Sequence, residues 1–134
     1  MKILLAEKSK DLISALMLLL THIKNTDVKN IGLIQNVDKV ENLYKKLKKE
    51  RPDILIINGG FVDYKTSDKV AILQVLYPLM TTLILSTDLG LEKQYLEIGM
   101  DNFILKGDSA EDFYISMVKF LHKEQKKILD RSFQ

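Results

Sequence analysis

The chain has 134 residues, of which 46% are hydrophobic and 28% are charged, and its formal net charge is +2. This balance is typical of one globular domain, and the charge is too small to indicate a nucleic-acid or membrane partner. The sequence contains no cysteine, which excludes disulfides, thiolate metal sites and a cysteine nucleophile. We interpret the two histidines, His22 and His122, as surface or helix-end residues rather than metal ligands.

The N-terminal segment contains an apolar run, 12–20, that could be mistaken for part of a secretory signal. Charged residues such as Glu7, Lys8 and Asp11 precede it, and no small-residue cleavage site follows. The run is also too short to span a bilayer. We therefore expect a cytoplasmic protein.

The first half of the chain predicts two strands and two helices. The run at 2–6 is apolar without alternation, as in a strand buried on both faces. Ser9 can cap a following helix, and a weaker strand is predicted at 30–35. Asp38, with an acidic residue three positions later, resembles a capping box. The helix that it opens should end before Pro52, because the residue before a proline is disfavoured in the helical region.

The second half repeats this alternation three times. Strands are predicted at 53–58, 81–87 and 102–106, and helices at 67–77 and 89–99 and from Ser109 onward. Gly99 is suited to the left-handed conformation that ends many helices. We find no repeats, low-complexity tracts or linkers.

Five strands alternating with five helices predict an α/β fold. We expect a flavodoxin-like, doubly wound parallel sheet with strand order 2-1-3-4-5. In such sheets the functional crevice lies at the carboxyl ends of the strands. No phosphate-binding glycine loop and no G-x-S-x-G elbow is present. The candidate residues are those at the strand ends, Glu7, Lys8, Asn58, Ser86, Thr87 and Lys106.

Four stretches in order, "MKILLAEKSKDLISALMLLL", "RPDILIINGG", "LILST" and "GMDNFILKGDSAEDF", resemble the receiver domain of bacterial two-component response regulators. The resemblance covers nearly the whole chain. Receiver domains of that family have two acidic residues after strand 1, a phosphoacceptor aspartate at the end of strand 3, a Ser or Thr after strand 4 and a lysine after strand 5. In that family the aspartate accepts a phosphoryl group with the help of magnesium.

The family positions are only partly kept in this sequence. The acidic pair falls on Glu7 and Lys8, and the phosphoacceptor falls on Asn58. The hydroxyl, the aromatic switch and the lysine fall on Ser86, Phe103 and Lys106. The proline that follows the lysine in the family is Gly107 here, so we expect a trans Lys106–Gly107 bond in place of the family's cis bond. Gly59 and Gly60 replace the usual Met-Pro pair.

These replacements change the charge of the pocket. Glu7 contributes one negative charge, Lys8 and Lys106 contribute two positive charges, and Asn58 contributes none. Magnesium prefers anionic oxygen ligands, and an amide cannot form the acyl phosphate that a carboxylate nucleophile forms. We therefore predict a degenerate receiver that is not phosphorylated, has no enzymatic activity, and binds neither metal nor cofactor. Lys8 is expected to reach Glu7 or the Asn58 amide oxygen.

Alternative interpretations remain at several of these positions. Asn58 could simply be a strand-end residue that starts a turn, Lys106 could be a solvated lysine, and Phe103 could be a core residue. A working receiver could use a non-standard acceptor such as Asp53 or Asp88. The chain could also be the N-terminal regulatory domain of a longer transcriptional regulator, while an unrelated enzyme on the same fold is the least favoured alternative.

The last predicted helix is longer than packing on one sheet requires. We expect residues 1–122 to form the receiver domain and residues 123–134 to be an extension of the last helix or a linker stub that projects beyond it. Protein partners are expected, with a homodimer through the fourth helix, fifth strand and fifth helix as one form of contact. No direct contact with nucleic acid or membrane is expected.

Overall fold

The computed structural model describes residues 1–34, 40–59, 67–87, 90–97, 99–100, 102–107 and 109–132. The strands are β1 (Lys2–Ala6), β2 (Asn30–Ile34), β3 (Ile54–Asn58), β4 (Thr81–Ser86) and β5 (Phe103–Leu105). The helices are α1 (Lys10–His22), α2 (Val40–Glu50), α3 (Ser67–Leu76), α4 (Gly90–Glu97) and α5 (Ala110–Ser132). In the part of the chain described, no helix is both long and apolar enough to cross a bilayer.

The five strands form one sheet in the order β2-β1-β3-β4-β5, and every pairing is parallel. This confirms the predicted flavodoxin-like, doubly wound architecture. The strands are within a residue or two of their predicted bounds. Because all five run in the same direction, their carboxyl ends lie at one edge of the sheet, where ligands bind in folds of this class.

The central strands β1, β3 and β4 are buried on both faces, which explains their continuous apolar sequences, whereas β2 at the edge of the sheet is only partly buried. Alternate residues of β1, β3 and β4 point to opposite sides of the sheet. One side packs against α1 and α5, through buried residues that include Leu16, Leu20, Met117 and Leu121. The other side packs against α2, α3 and α4, through residues that include Leu43, Leu47, Leu73 and Tyr95.

The helix ends agree with the signals read from the sequence. The Ser9 hydroxyl accepts a hydrogen bond from the Leu12 N–H, and that of Ser109 accepts one from the Asp112 N–H. Gly99 has φ +88°, in the left-handed region favoured by glycine. The helix before Pro52 ends at Glu50. The predicted capping residue Asp38 lies outside the described residues.

The long helix α5 continues to Ser132, but its last turns pack against the sheet. Glu124 is buried, and its carboxylate accepts hydrogen bonds from the Thr81 hydroxyl at 2.7 Å and the Lys127 ammonium at 3.2 Å. Further along the helix, the Arg131 guanidinium donates to the Leu79 carbonyl. We expected the helix to project beyond the domain after His122. That expectation is wrong for the inner face of the helix, because Glu124 is buried there and its carboxylate is hydrogen-bonded to Thr81 of β4.

Candidate functional site

Side chains from three elements meet at the carboxyl edge of the sheet. Glu7 follows β1, Asn58 ends β3, and Lys106 follows β5. Their positions follow from the parallel register, in which Ala6 pairs with Ile57 and Asn58 with Leu85. The sequence predicted these three residues as candidates, and the structure brings them into contact.

Glu7 is the centre of this cluster. Its side chain is buried, with the residue only 3% exposed. The carboxylate oxygen Oε1 accepts the backbone N–H groups of Lys8 at 3.0 Å and Ser9 at 3.1 Å. A buried carboxylate is costly unless hydrogen bonds or charges compensate it, and these two N–H groups at the start of α1 supply part of that compensation.

Asn58 also compensates the buried charge of Glu7. Its side-chain nitrogen Nδ2 donates to both oxygens of Glu7, at 2.8 Å to Oε1 and 2.7 Å to Oε2. The orientation of the amide follows from its partner, because a carboxylate only accepts hydrogen bonds and the amide oxygen cannot donate one. The NH₂ group of Asn58 therefore points to the Glu7 carboxylate and donates hydrogen bonds to it.

Lys106 is the cation beside this carboxylate. Its Nζ lies 3.7 Å from Glu7 Oε2, and both side chains are largely buried. Lys8 contributes its backbone N–H to Glu7, while its own side chain is exposed. That the Lys8 ammonium reaches Glu7 or the Asn58 amide oxygen stays a prediction, whereas the Lys106 ammonium, also expected in this pocket, lies beside Glu7.

Ser86 ends β4 next to the backbone that follows Asn58. The Gly59 N–H donates to the Leu85 carbonyl at 2.6 Å. A Cβ placed on Gly59 would lie 2.8 Å from the Ser86 Cβ and 3.0 Å from its Oγ, distances that side-chain carbons do not adopt without a shift of the backbone. Glycine at 59 therefore allows the chain after β3 to pass directly against β4.

Phe103, the predicted aromatic switch position, is partly buried and packs on the core formed with α2, α3 and α4. Its ring lies 5.8 Å from the ring of Tyr95 in a tilted arrangement. The Tyr95 hydroxyl donates to the Gly59 carbonyl at 3.2 Å in the buried interior. Tyr95 was not predicted as a site residue, and its position on α4 gave no signal beyond that of a core aromatic.

The alternative acceptor Asp53 lies at the opposite edge of the sheet. Its carboxylate accepts the Lys2 N–H at 2.8 Å, at the start of β1 and β3. The other alternative, Asp88, lies outside the described residues. Within the described ranges, no three His, Cys, Asp or Glu side chains converge as a metal site, and no cis peptide bond occurs. The Lys106–Gly107 bond is trans, as expected.

Comparisons with known proteins support the fold without identifying a family. No protein-family model matches the chain, and no curated protein matches it. A two-component transcriptional regulator AraC from Clostridium phytofermentans superposes with a TM-score of 0.72 at 16% identity, covering 100% of this chain and 98% of that one. The N-terminal signal receiver domain of a Bacteroides fragilis response regulator gives a TM-score of 0.70 at 14% identity, with 92% and 95% covered.

A third similar structure has a different description. It is a putative pilus assembly-related protein from Burkholderia pseudomallei, with a TM-score of 0.73 at 16% identity, covering 94% of this chain and 90% of that one. At these levels of identity the likeness concerns the fold alone. Together with the strand order and the placement of the polar residues at the sheet edge, it shows that the chain has the receiver fold of response regulators.

Proposed function

We propose that the chain is an atypical receiver module of two-component signalling, which works through protein contacts and does not accept a phosphoryl group. It would have no catalytic activity of its own. The observation that supports this best is the pair formed by Asn58 and Glu7. At the position where the receiver family has its acceptor aspartate, the amide of Asn58 donates hydrogen bonds to both oxygens of Glu7, the only carboxylate that the described residues place in the cluster.

The donor set of this cluster is a poor fit to magnesium. The ion requires near-octahedral coordination by oxygen, with carboxylates as the preferred protein ligands. The described pocket offers Glu7 alone, and both oxygens of that carboxylate already accept hydrogen bonds. The Lys106 ammonium lies on the same carboxylate, so an incoming divalent cation would have to displace it.

The chemistry of the acceptor supports the same conclusion. Transfer of a phosphoryl group to a receiver requires an anionic oxygen nucleophile. Asn58 has a neutral amide at that position, and its nitrogen is oriented toward Glu7. Signalling would then depend on a partner that binds two conformations of the domain unequally.

The partners of such a module would be other proteins. The expected contact surface, formed by α4, β5 and α5, includes the exposed side chains Leu96, Tyr114 and Ile115. We retain residues 1–122 as the receiver unit and residues 123–134 as an extension of its last helix, an extension whose inner face packs on that unit through Glu124. A cytoplasmic location is part of the same proposal, as is the absence of direct contact with nucleic acid or membrane.

Incubation with magnesium and a small-molecule phosphodonor such as acetyl phosphate tests the proposal, with intact mass as the readout. The wild-type chain should gain no phosphate. The variant Asn58→Asp with Lys8→Asp is the positive control, because it restores two carboxylates and should bind magnesium. Asn58→Asp alone should bind the ion poorly, since a cation would remain in place of an acidic residue.

A stoichiometric, hydrolytically labile phosphate on the wild-type chain would overturn the proposal. It would favour the alternative of a working receiver with a non-standard acceptor, and peptide mapping would then locate the modified residue. Asp53 is disfavoured for that role by its place at the amino edge of the sheet. The further alternative, an N-terminal regulatory domain of a longer transcriptional regulator, is compatible with either outcome.

A further inference from the structure

The outer face of α3 has a row of large aliphatic side chains in contact with solvent. It consists of Ile72, Val75 and Leu76 on the helix and Leu79 just after it, and we call this set the α3 stripe. These four residues are between 48% and 81% exposed, with Val75 the most exposed. Their spacing of three and four residues places the helical members on one side of α3.

The opposite side of α3 is also apolar. Val70 and Leu73 are fully buried against the sheet, so the helix has hydrophobic residues both inward and outward. A helix that is hydrophobic all round is normally covered on all sides. The sequence of α3 is SDKVAILQVL. We infer that one side of this helix packs on its own domain and that the other side is an interaction surface.

The exposed apolar area of the α3 stripe can be compared with the area that a stable interface buries. With roughly 100 Å² of apolar surface from each of four side chains, the stripe exposes about 400 Å², which lies within the range of the largest patches on monomeric proteins, many of which are functional. Stable interfaces bury about 800 Å² per partner, and their fully buried cores are the most apolar part. The stripe is thus large enough to form the core of such an interface, with a polar rim around it.

We propose that two copies of this chain pair through the α3 stripe across a two-fold axis. A two-fold interface uses the same patch on both copies, and a short straight stripe of equivalent aliphatic residues satisfies this requirement. The proposal concerns a different surface from the Glu7 cluster and from the α4–β5–α5 face, so it does not depend on phosphorylation chemistry.

The charges at the two ends of the stripe allow two copies to meet. Exposed Asp68 stands at the start of α3 and is followed in the sequence by Lys69. A groove at the other end is lined by Leu79, Lys127, Asp130 and Arg131, among others, and Lys127 is paired with the Glu124 carboxylate at 3.2 Å. With these charges counted, neither end carries a net charge, so the stripe can meet its own copy without repulsion between like charges.

The oligomeric state of the full chain tests this proposal, measured by sedimentation velocity from low micromolar to submillimolar concentration. The wild type should be a dimer at the upper end of this range. Leu76→Glu should raise the dissociation constant by at least about 30-fold, the loss typical of a central interface residue. Leu18→Glu on α1 is the matched control, because Leu76 and Leu18 are both well exposed, at 56% and 64%. It should leave the dimer intact.

Cross-linking gives a second measurement that does not depend on a disruptive variant. Because the chain has no cysteine, a single Val75→Cys places the sole thiol near the middle of the stripe. Mild oxidation should give a disulfide-linked dimer much faster than for Leu96→Cys or Leu18→Cys. A monomeric wild type at every concentration would overturn the proposal. So would dimers that survive Leu76→Glu but not Leu96→Glu, since they would place the contact on α4, β5 and α5.

Discussion

Replacing Asn58 by aspartate changes only the amide nitrogen to an oxygen, yet it should destabilise the fold. The two hydrogen bonds to Glu7, at 2.8 and 2.7 Å, would be replaced by contacts between two anionic groups. Glu7 cannot move away easily, because it is buried and also bound by the N–H groups of Lys8 and Ser9.

The magnitude follows from two contributions. Like charges about 4 Å apart repel by about 4 kcal/mol at an effective dielectric constant near 20. Loss of a hydrogen bond to a charged group adds about 1.5–3 kcal/mol. Attraction to Lys106, whose Nζ is 3.7 Å from Glu7, and local relaxation offset part of this. We expect a net loss of about 2–4 kcal/mol in the free energy of unfolding near neutral pH, a large share of the ~5–15 kcal/mol typical of a domain.

Urea denaturation followed by circular dichroism measures this loss. Asn58→Leu is the uncharged control, since it removes the hydrogen bonds without adding a carboxylate and should cost about 1–3 kcal/mol. The double variant Glu7→Gln with Asn58→Asp exchanges amide and carboxylate between the two positions. It should recover most of the stability lost by Asn58→Asp, giving a coupling energy of about 2 kcal/mol or more in the cycle.

The pH dependence of Asn58→Asp has a defined sign. The neighbouring carboxylate raises the pKa of the new carboxyl group in the folded state above its unfolded value. The variant should therefore approach the stability of the wild type in acid and lose stability as the pH rises through that folded pKa. A variant as stable as the wild type near neutral pH, with no such pH dependence, would refute the reasoning, because it would mean that Asn58 and Glu7 are not in contact in solution.

Two further substitutions test contacts next to this cluster and on α5. Gly59→Ala should cost about 1–3 kcal/mol by overpacking, because its Cβ would meet β4 at 2.8 Å. Gly107→Ala is the control: its new Cβ meets no atom of the described residues within 4 Å, so this variant should be as stable as the wild type in the same urea titration. Thr81→Val removes the hydroxyl that donates to the buried carboxylate of α5 and should cost about 1–3 kcal/mol. Thr82→Val should be neutral or stabilising, because that hydroxyl is buried and has no hydrogen-bond partner among the described residues. Equal losses for the two threonines would contradict this argument.

The sequence predicted the fold well because the three central strands, β1, β3 and β4, are buried on both faces. Runs such as residues 54–57 are apolar without interruption, and each is separated from the next by a helical pattern with its own end signals. The caps at Ser9 and Ser109 are local, since each hydroxyl meets an N–H three residues ahead. Local signals of this kind can be read without knowledge of the tertiary structure.

The partners within the site were harder to predict because they depend on which strands are neighbours. Lys8 is next to Glu7 in the sequence, whereas only the resemblance to receiver domains placed Lys106 in the same pocket. In the sheet, Lys106 reaches the Glu7 carboxylate from a strand about a hundred residues away. The hydrogen bond from Tyr95 to the Gly59 carbonyl likewise joins α4 to the chain after β3, and no spacing in the sequence indicates it. The inner face of α5 was misjudged for the same reason, since the partner of Glu124 lies on β4.

The charge balance of the cluster has a consequence for how this domain could transmit a signal. In a receiver with several carboxylates, the folded pocket is incomplete until a cation offsets their repulsion, so ligand binding can shift its conformation. Here Glu7, the one carboxylate that the described residues place in the cluster, is already compensated by an amide, two backbone N–H groups and a lysine. An ion or phosphoryl group would gain little by binding and would have to break these contacts. Under the proposed function, a shift in conformation would therefore have to start at a protein-binding surface and reach the pocket through Tyr95 and Phe103, whose rings connect α4 and β5 to the chain beside Asn58.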